Sequence, residues 1–158
     1  MRPDEFEAFA EHGRAGYVQQ MVEFSGMEPS AALAKAERDY ALTLPNGLAT
    51  PGHWLFVVEH DRRRVGVLWF AERVLDGRTV AYLYEIEIDE AERGHGYGRA
   101  AMEAYEREAA RRGLFELELN VFGGNDVARA LYRSLGWRET AVHMVKRVEQ
   151  QAGGQPEA

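Results

Sequence analysis

No cysteine occurs among the 158 residues. Disulfides, thiolate zinc sites and a cysteine nucleophile are therefore excluded. Lysine is nearly absent as well: Lys35 and Lys146 are the only two among 19 basic residues, and the acidic excess leaves a net charge of −7. A surface that tracks phosphates needs the opposite balance, so nucleic acid is not an expected partner. The excess favours a cationic ligand such as an amine, although it serves solubility equally well. No apolar run approaches the roughly 20 residues that cross a bilayer. Met1-Arg2-Pro3-Asp4-Glu5 has no apolar secretion core, so the chain is expected to be mature, cytoplasmic and free of membrane. Only three serines occur, none in a Gly-x-Ser-x-Gly setting. His12, His53, His60, His95 and His143 lack metal-ligand spacing, and no metal is expected.

What is present suffices for one globular domain, expected over residues 1–149, with 46% apolar and 28% charged residues. Phe6, Phe9, Gly13, Tyr17, Met21 and Phe24 recur at spacings of three and four, one face of a helix over 4–24. Gly26 ends it, and Glu28-Pro29-Ser30 opens a second helix to Leu44. From Trp54 the period changes. Residues 54–59 and 65–71 read as strands joined by a turn at Asp61–Arg64, and Asp76-Gly77 leads to a third strand over 80–88. A glycine-rich turn at 93–98 opens a helix to Arg112, followed by a strand over 116–122 and a short helix over 126–135. Trp137–Val148 reads as a final extended stretch, and residues 150–158 as a disordered tail. The order α-α-β-β-β-α-β-α-β implies an α/β (α+β) fold: a mixed sheet covered by helices on both faces.

Arg93-Gly94-His95-Gly96-Tyr97-Gly98 lies between a strand and a helix. Small residues there let backbone approach a ligand, and the unpaired amides of a helix start attract an anion. Arg93 and Arg99 can add charge, and His95 either contacts phosphate or fills the turn. A Walker A loop would need Gly-Lys-Ser/Thr, which is missing. A dinucleotide turn would need a glycine where Arg99 stands. A purely structural turn would also account for three alternate glycines.

Arg93-x-x-Gly96-x-Gly98 resembles the Gln/Arg-x-x-Gly-x-Gly/Ala signature of the GNAT acetyltransferase superfamily. Leu117-x-Leu119-Asn120-Val121, followed by Asn125, Ala128, Leu131-Tyr132 and Gly136-Trp137, is similar to that superfamily's second coenzyme A motif. The resemblance implies a GNAT-like acyl-coenzyme A N-acyltransferase fold with acetyl-coenzyme A as co-substrate. It implies that backbone groups of Ile86 and Ile88 pair with the pantetheine arm, that amides of 94–99 hold the pyrophosphate, and that Asn125 bonds the cofactor. It places the Tyr132 hydroxyl beside the thioester sulfur. The chain departs from the family in showing no strand before its first helix and no clear turn within 137–148.

The implied acceptor is a primary amine, of a small molecule or a peptide. An ammonium of pKa about 10.4 must lose a proton before it can attack, at a cost on the order of 4–5 kcal/mol at pH 7. Glu85, then Glu87, are the candidate bases, both on one face of a regular strand; a bulge would shift which one reaches the slot. Solvent-facing carboxylates are the plainer alternative. Tyr132, protonated at neutral pH, suits the acid, against the alternative of a packed helix residue. Without a cysteine carrier, direct transfer in a ternary complex is expected. The competing function is a sensor that binds acyl-coenzyme A without turnover, and a homodimer is compatible with either.

Overall fold

The computed structural model describes residues 1–146. Its elements are α1 (Pro3–Ser25), α2 (Pro29–Thr43), β1 (His53–His60), β2 (Arg63–Leu75), β3 (Arg78–Ile88), α3 (Tyr97–Arg111), β4 (Leu117–Leu119) and α4 (Asp126–Ser134). They follow the expected order as far as α4. The expected last strand does not form: residues 137–146 adopt no strand, and 147–148, like the tail assigned to 150–158, lie outside the described residues. A strand needs a neighbour's ladder, and β4, the adjacent edge, is three residues long. Val142, Met144 and Val145 are accordingly exposed.

The sheet has the order β1-β2-β3-β4, antiparallel through β3 and parallel between β3 and β4. Both hairpins close in two residues with positive φ: Asp61 and Arg62 (48° and 63°), then Asp76 and Gly77 (50° and 76°). That geometry matches the right-handed twist of the flanking strands. The first turn is shorter than the sequence suggested, because Arg63 and Arg64 already belong to β2. Helix α2 starts where Glu28 accepts hydrogen bonds from the amides of Ser30 (2.9 Å) and Ala31 (3.2 Å), with Pro29 as its first residue.

Two cores sit on opposite faces. Leu68, Phe70, Ala81 and Leu83 pack against Met102, Tyr105 and Ala109 of α3, with Leu131 and Tyr132 of α4 at the margin. On the other face Phe9 and Ala10 of α1 meet Leu55, Val67 and Trp69. Ala32 and Ala36 of α2 close on Met21. Each large side chain so buried contributes roughly 1.5–3 kcal/mol. Tyr105 also donates a buried hydrogen bond to the Ala81 carbonyl at 2.7 Å, fixing α3 across β3 where β4 joins.

One irregularity in β3 positions the site. Trp69 pairs with Glu85 but Phe70 pairs with Leu83, so Tyr84 is an extra residue in the ladder. The bulge reverses the alternation of side chains. Ala81 and Leu83 face α3 before it, and Ile86 does so after it. Tyr84, Glu85 and Glu87 all turn toward α1 and α2. The sheet opens at the same place, since pairing of β3 with β4 ends at Leu83 and Leu119.

Candidate active site

Beyond Leu83, the β4-facing edge of β3 has no strand partner among the described residues. Residues 84–88 therefore present backbone groups to any extended ligand that enters the opening, as a missing strand would. Ile86 and Ile88 lie on this stretch. The Ile88 carbonyl also accepts from Arg93 Nε at 3.1 Å, which folds that side chain back along β3. Arg93 Nη2 lies 3.8 Å from Glu87 as well.

The glycine turn leads straight from this strand end into α3. Gly94 and Gly96 have φ of 82° and 84°, a left-handed conformation that side chains resist, and a Cβ at either would meet nothing. What these two positions require is the backbone path, not the space. Gly96 caps α3 without any side-chain bond, and the first intrahelical bond within reach is Ala100 N–H to Gly96 O. The amides of Tyr97, Gly98 and Arg99 thus lack helical acceptors, and the positive end of the helix adds to their attraction for an anion. At Gly98 a Cβ would make an ordinary contact with α4, 3.4 Å from Leu131. His95 is exposed, bonds through Nδ1 with the Glu92 carbonyl at 3.2 Å and stacks on Tyr97. Arg99 donates to Ser134 Oγ at 2.6 Å.

Where β3 and β4 part, a cavity of about 130 Å³ is lined by Tyr84, Glu85 and Ile86 on one wall and by Asn120, Asn125 and Tyr132 on the other. Asn125 caps α4, accepting from Ala128 N–H at 3.1 Å, and its amide nitrogen remains as a donor. Tyr132 packs beside Trp137, ring centroids 6.1 Å apart, and burial raises its pKa. A larger cavity of about 320 Å³ between α1 and α2 contains neither the turn nor Tyr132.

The two glutamates differ sharply. Burial pushes Glu85 up to about 7, against the opposing hydrogen bond from the Tyr40 hydroxyl at 3.1 Å. Helix α1 passes directly over this pair at Gly13, where a Cβ would lie 2.7 Å from Glu85 Oε2 and would also strike the Tyr40 hydroxyl. Glu87 is more open and holds His12 Nε2 at 3.0 Å, raising the histidine's pKa chiefly through that hydrogen bond. Tyr40, Gly13 and His12 were not identified as partners of the glutamates by the sequence. From the sequence Tyr40 reads as a core residue or a wall of an amine pocket and His12 as a surface or turn residue, and 75 positions separate His12 from Glu87. The one available signal was a glycine inside an otherwise regular helical face.

Among the described residues no three His, Cys, Asp or Glu side chains gather as metal ligands, and no helix is long and apolar enough to cross a membrane.

Comparison with known proteins bears on the family and the fold. The Acetyltransferase (GNAT) family model matches residues 18–137. The uncharacterized N-acetyltransferase YycN of Bacillus subtilis (strain 168) is 30% identical over 149 residues, covering 94% of this chain and 96% of that protein. The crystal structure of YycN matches with a TM-score of 0.89 over 95% of this chain and 96% of its own. A predicted acetyltransferase from Clostridium acetobutylicum, solved with acetyl-coenzyme A, shares the fold at 14% identity, with a TM-score of 0.64 over 93% of this chain and 92% of that one. The chain belongs to the acetyltransferase (GNAT) family and is an acyltransferase.

Proposed function

We propose that the chain moves the acetyl group of acetyl-coenzyme A directly to a primary amine, both substrates being bound together. The observation that carries this reading is the cavity at the β3–β4 opening, which holds a protonated phenol and a carboxyl of near-neutral pKa on facing walls. Burial raises both groups from their ordinary values, which leaves the carboxyl able to take a proton near neutral pH and the phenol holding one to give.

Acetyl-coenzyme A supplies an activated thioester carbonyl. Amides of residues 94–99 bind its pyrophosphate, and the unpaired edge of β3 at Ile86 and Ile88 pairs with its pantetheine arm. Asn125 adds a hydrogen bond from its amide nitrogen. Glu85 takes the proton of the incoming ammonium; a base whose pKa lies near the working pH combines a large ionised fraction with useful basicity. A backbone N–H near Ile88 stabilises the oxyanion. Tyr132 gives a proton to the departing sulfur, for which a phenol kept protonated by burial is suited. Glu87, engaged by His12, is the second choice of base.

Release of free thiol from acetyl-coenzyme A, followed across a panel of amines, tests the reading. Tyr132→Phe is expected to lower kcat by roughly 10²–10⁴-fold, the range for loss of a general acid, while calorimetry shows acetyl-coenzyme A bound as before. Unchanged turnover would remove Tyr132 as the acid. Tight binding with no thiol released by any amine would instead make the chain a sensor.

A further inference from the structure

Arg73 lies on β2 with its guanidinium 4.7 Å from the ring centre of Tyr82 and 5.9 Å from that of Tyr84. Ala71 pairs with Tyr82 and Arg73 with Val80, and directly opposed residues share a face of the sheet. Arg73 therefore stands on the same side as Tyr84, Glu85 and Glu87, the side from which an acceptor must come. Its charge is felt there. Arg73 lowers the pKa of His53 in the same direction as burial, and it opposes, by charge and by a hydrogen bond, the rise that burial imposes on the Tyr84 phenol.

Carboxylates of β3, β4 and α2 have partners of their own. Glu118, the register partner of Tyr82 on β4, bonds Arg78 at 3.0 Å, and Glu116 pairs with the same arginine. Asp39 pairs with Lys35 and accepts from Tyr17. Glu85 is held by Tyr40, and Glu87 by His12. Among the described residues Arg73 makes no ion pair of its own. A half-buried guanidinium, stacked on two phenols and permanently charged, offers a planar set of donors that fits a carboxylate.

We propose that Arg73, framed by Tyr82 and Tyr84, binds a carboxylate on the acceptor, so that the substrates are small amines that also carry an acid. This rests on the acetyl-transfer reading and names its substrate class. The spacing restricts the class further. Arg73 overlies Tyr82 and Tyr84, so the anion site trails Glu85 by one to three residues of β3, about 3–10 Å at the rise of a strand. A carboxylate on the same carbon as the amine sits at the short limit of that span. An ω-amino acid, with about four to six atoms between its ends, reaches both sites.

Thiol release measured with matched pairs decides the matter: 6-aminohexanoate against hexylamine, and 5-aminopentanoate against pentylamine. The intact protein is expected to favour each acid over its alkylamine by about tenfold or more in kcat/KM, as for a site built to bond a group that the competitor lacks. In Arg73→Gln that ratio falls toward one, through KM for the acid, and Arg73→Lys recovers part of it because charge is restored without the planar fork. Amine-dependent release with no preference for the acids, or a preference that survives Arg73→Gln, overturns the anion site and leaves acetyl transfer standing. No release with any amine overturns the acetyl-transfer reading on which it rests.

Discussion

The two sides of β3 are built from different materials. Toward α3 and α4, the proposed cofactor site is mostly backbone: the edge at 84–88 without a strand partner, two left-handed glycines and a helix start with no side-chain cap, with the Asn125 and Tyr132 side chains beside them. Toward α1 and α2, the materials are side chains drawn from distant segments, with Glu85 on Tyr40, Glu87 on His12 and Arg73 on two tyrosines. Backbone amides can hold a diphosphate with little dependence on which side chains surround them. A carboxylate near neutral pKa depends on every neighbour that shields or bonds it. Substitutions in the backbone elements of the first side should act through conformation and cofactor affinity; those of Tyr132, and of the side chains on the second side, should act through proton transfer and acceptor choice.

The sharpest test of that division is Glu85→Gln, which keeps the shape and removes the charge. Turnover is expected to fall by about 10²-fold or more, within the range for general-base catalysis, with acetyl-coenzyme A affinity unchanged by calorimetry. The acidic limb of the pH–rate profile, expected near 7 in the parent, should vanish. Loss confined to Glu87→Gln would transfer the base to the more open carboxylate.

Stability should respond to the same substitution. Glu85 rises from 4.5 to about 7 on folding, so the folded state holds its proton more tightly. The associated stability is fully present below pH 4.5 and is lost as pH climbs through 7. A shift of that size corresponds to on the order of 3 kcal/mol. Urea unfolding at pH 5 and pH 8 should show this decline in the parent and a much smaller one in Glu85→Gln. His12, raised chiefly by Glu87, declines in the same direction in both proteins; Glu85 adds a smaller part of that rise, so its loss removes a little of the His12 decline as well. Glu28, Glu108 and Glu139 are held low by their hydrogen bonds and act below that window.

The difference in materials also explains what could be read before the fold was known. A backbone path leaves its mark locally, because glycines at fixed spacing between a strand and a helix are what such a path requires; the turn at Arg93–Gly98 and the start of α3 were legible for that reason. The element order and both hairpins followed from periodicity and turn chemistry. The bulge at Tyr84 was not legible, since one extra residue leaves the composition of β3 unchanged. The partnerships of Glu85 and Glu87 depend on that reversal and on helices packed from elsewhere in the chain, and that of Arg73 on the register of β2 against β3. Among the described residues the expected last strand is missing at 137–146: Thr140, Val142 and Val145 satisfy a pattern, while pairing depends on an edge that β4 scarcely provides.

A pair of glycine substitutions sharpens the comparison at smaller cost. Gly13→Ala gains up to about 1 kcal/mol of helix propensity, yet its Cβ collides with Glu85 and Tyr40. Overpacking at such a contact costs roughly 1–3 kcal/mol, so a net loss of about 1 kcal/mol is expected in urea unfolding, with turnover reduced and acetyl-coenzyme A affinity retained. Gly96→Ala meets no atom but must hold a φ of 84°, at a cost of about 1 kcal/mol. There the order reverses, and cofactor affinity is what falls. Equal effects of both variants on cofactor binding would erase the distinction between the two sides.

The mildest change isolates the hydroxyl of Tyr40. Phenylalanine preserves the ring that packs 5.6 Å from Trp69 and removes the donor that favours ionised Glu85. Without it the carboxylate loses its hydrogen bond while remaining buried, so its pKa moves up from about 7. The acidic limb of the rate profile should shift to higher pH, and turnover at neutral pH should drop a few-fold as the ionised fraction shrinks. At high pH, where Glu85 is ionised in either protein, the two rates should converge. Convergence makes Tyr40 a residue that positions and tunes the base. A plateau that stays low at every pH would mean that its hydroxyl touches the reacting groups, and the proton path would then run through the phenol on the α2 side of the sheet.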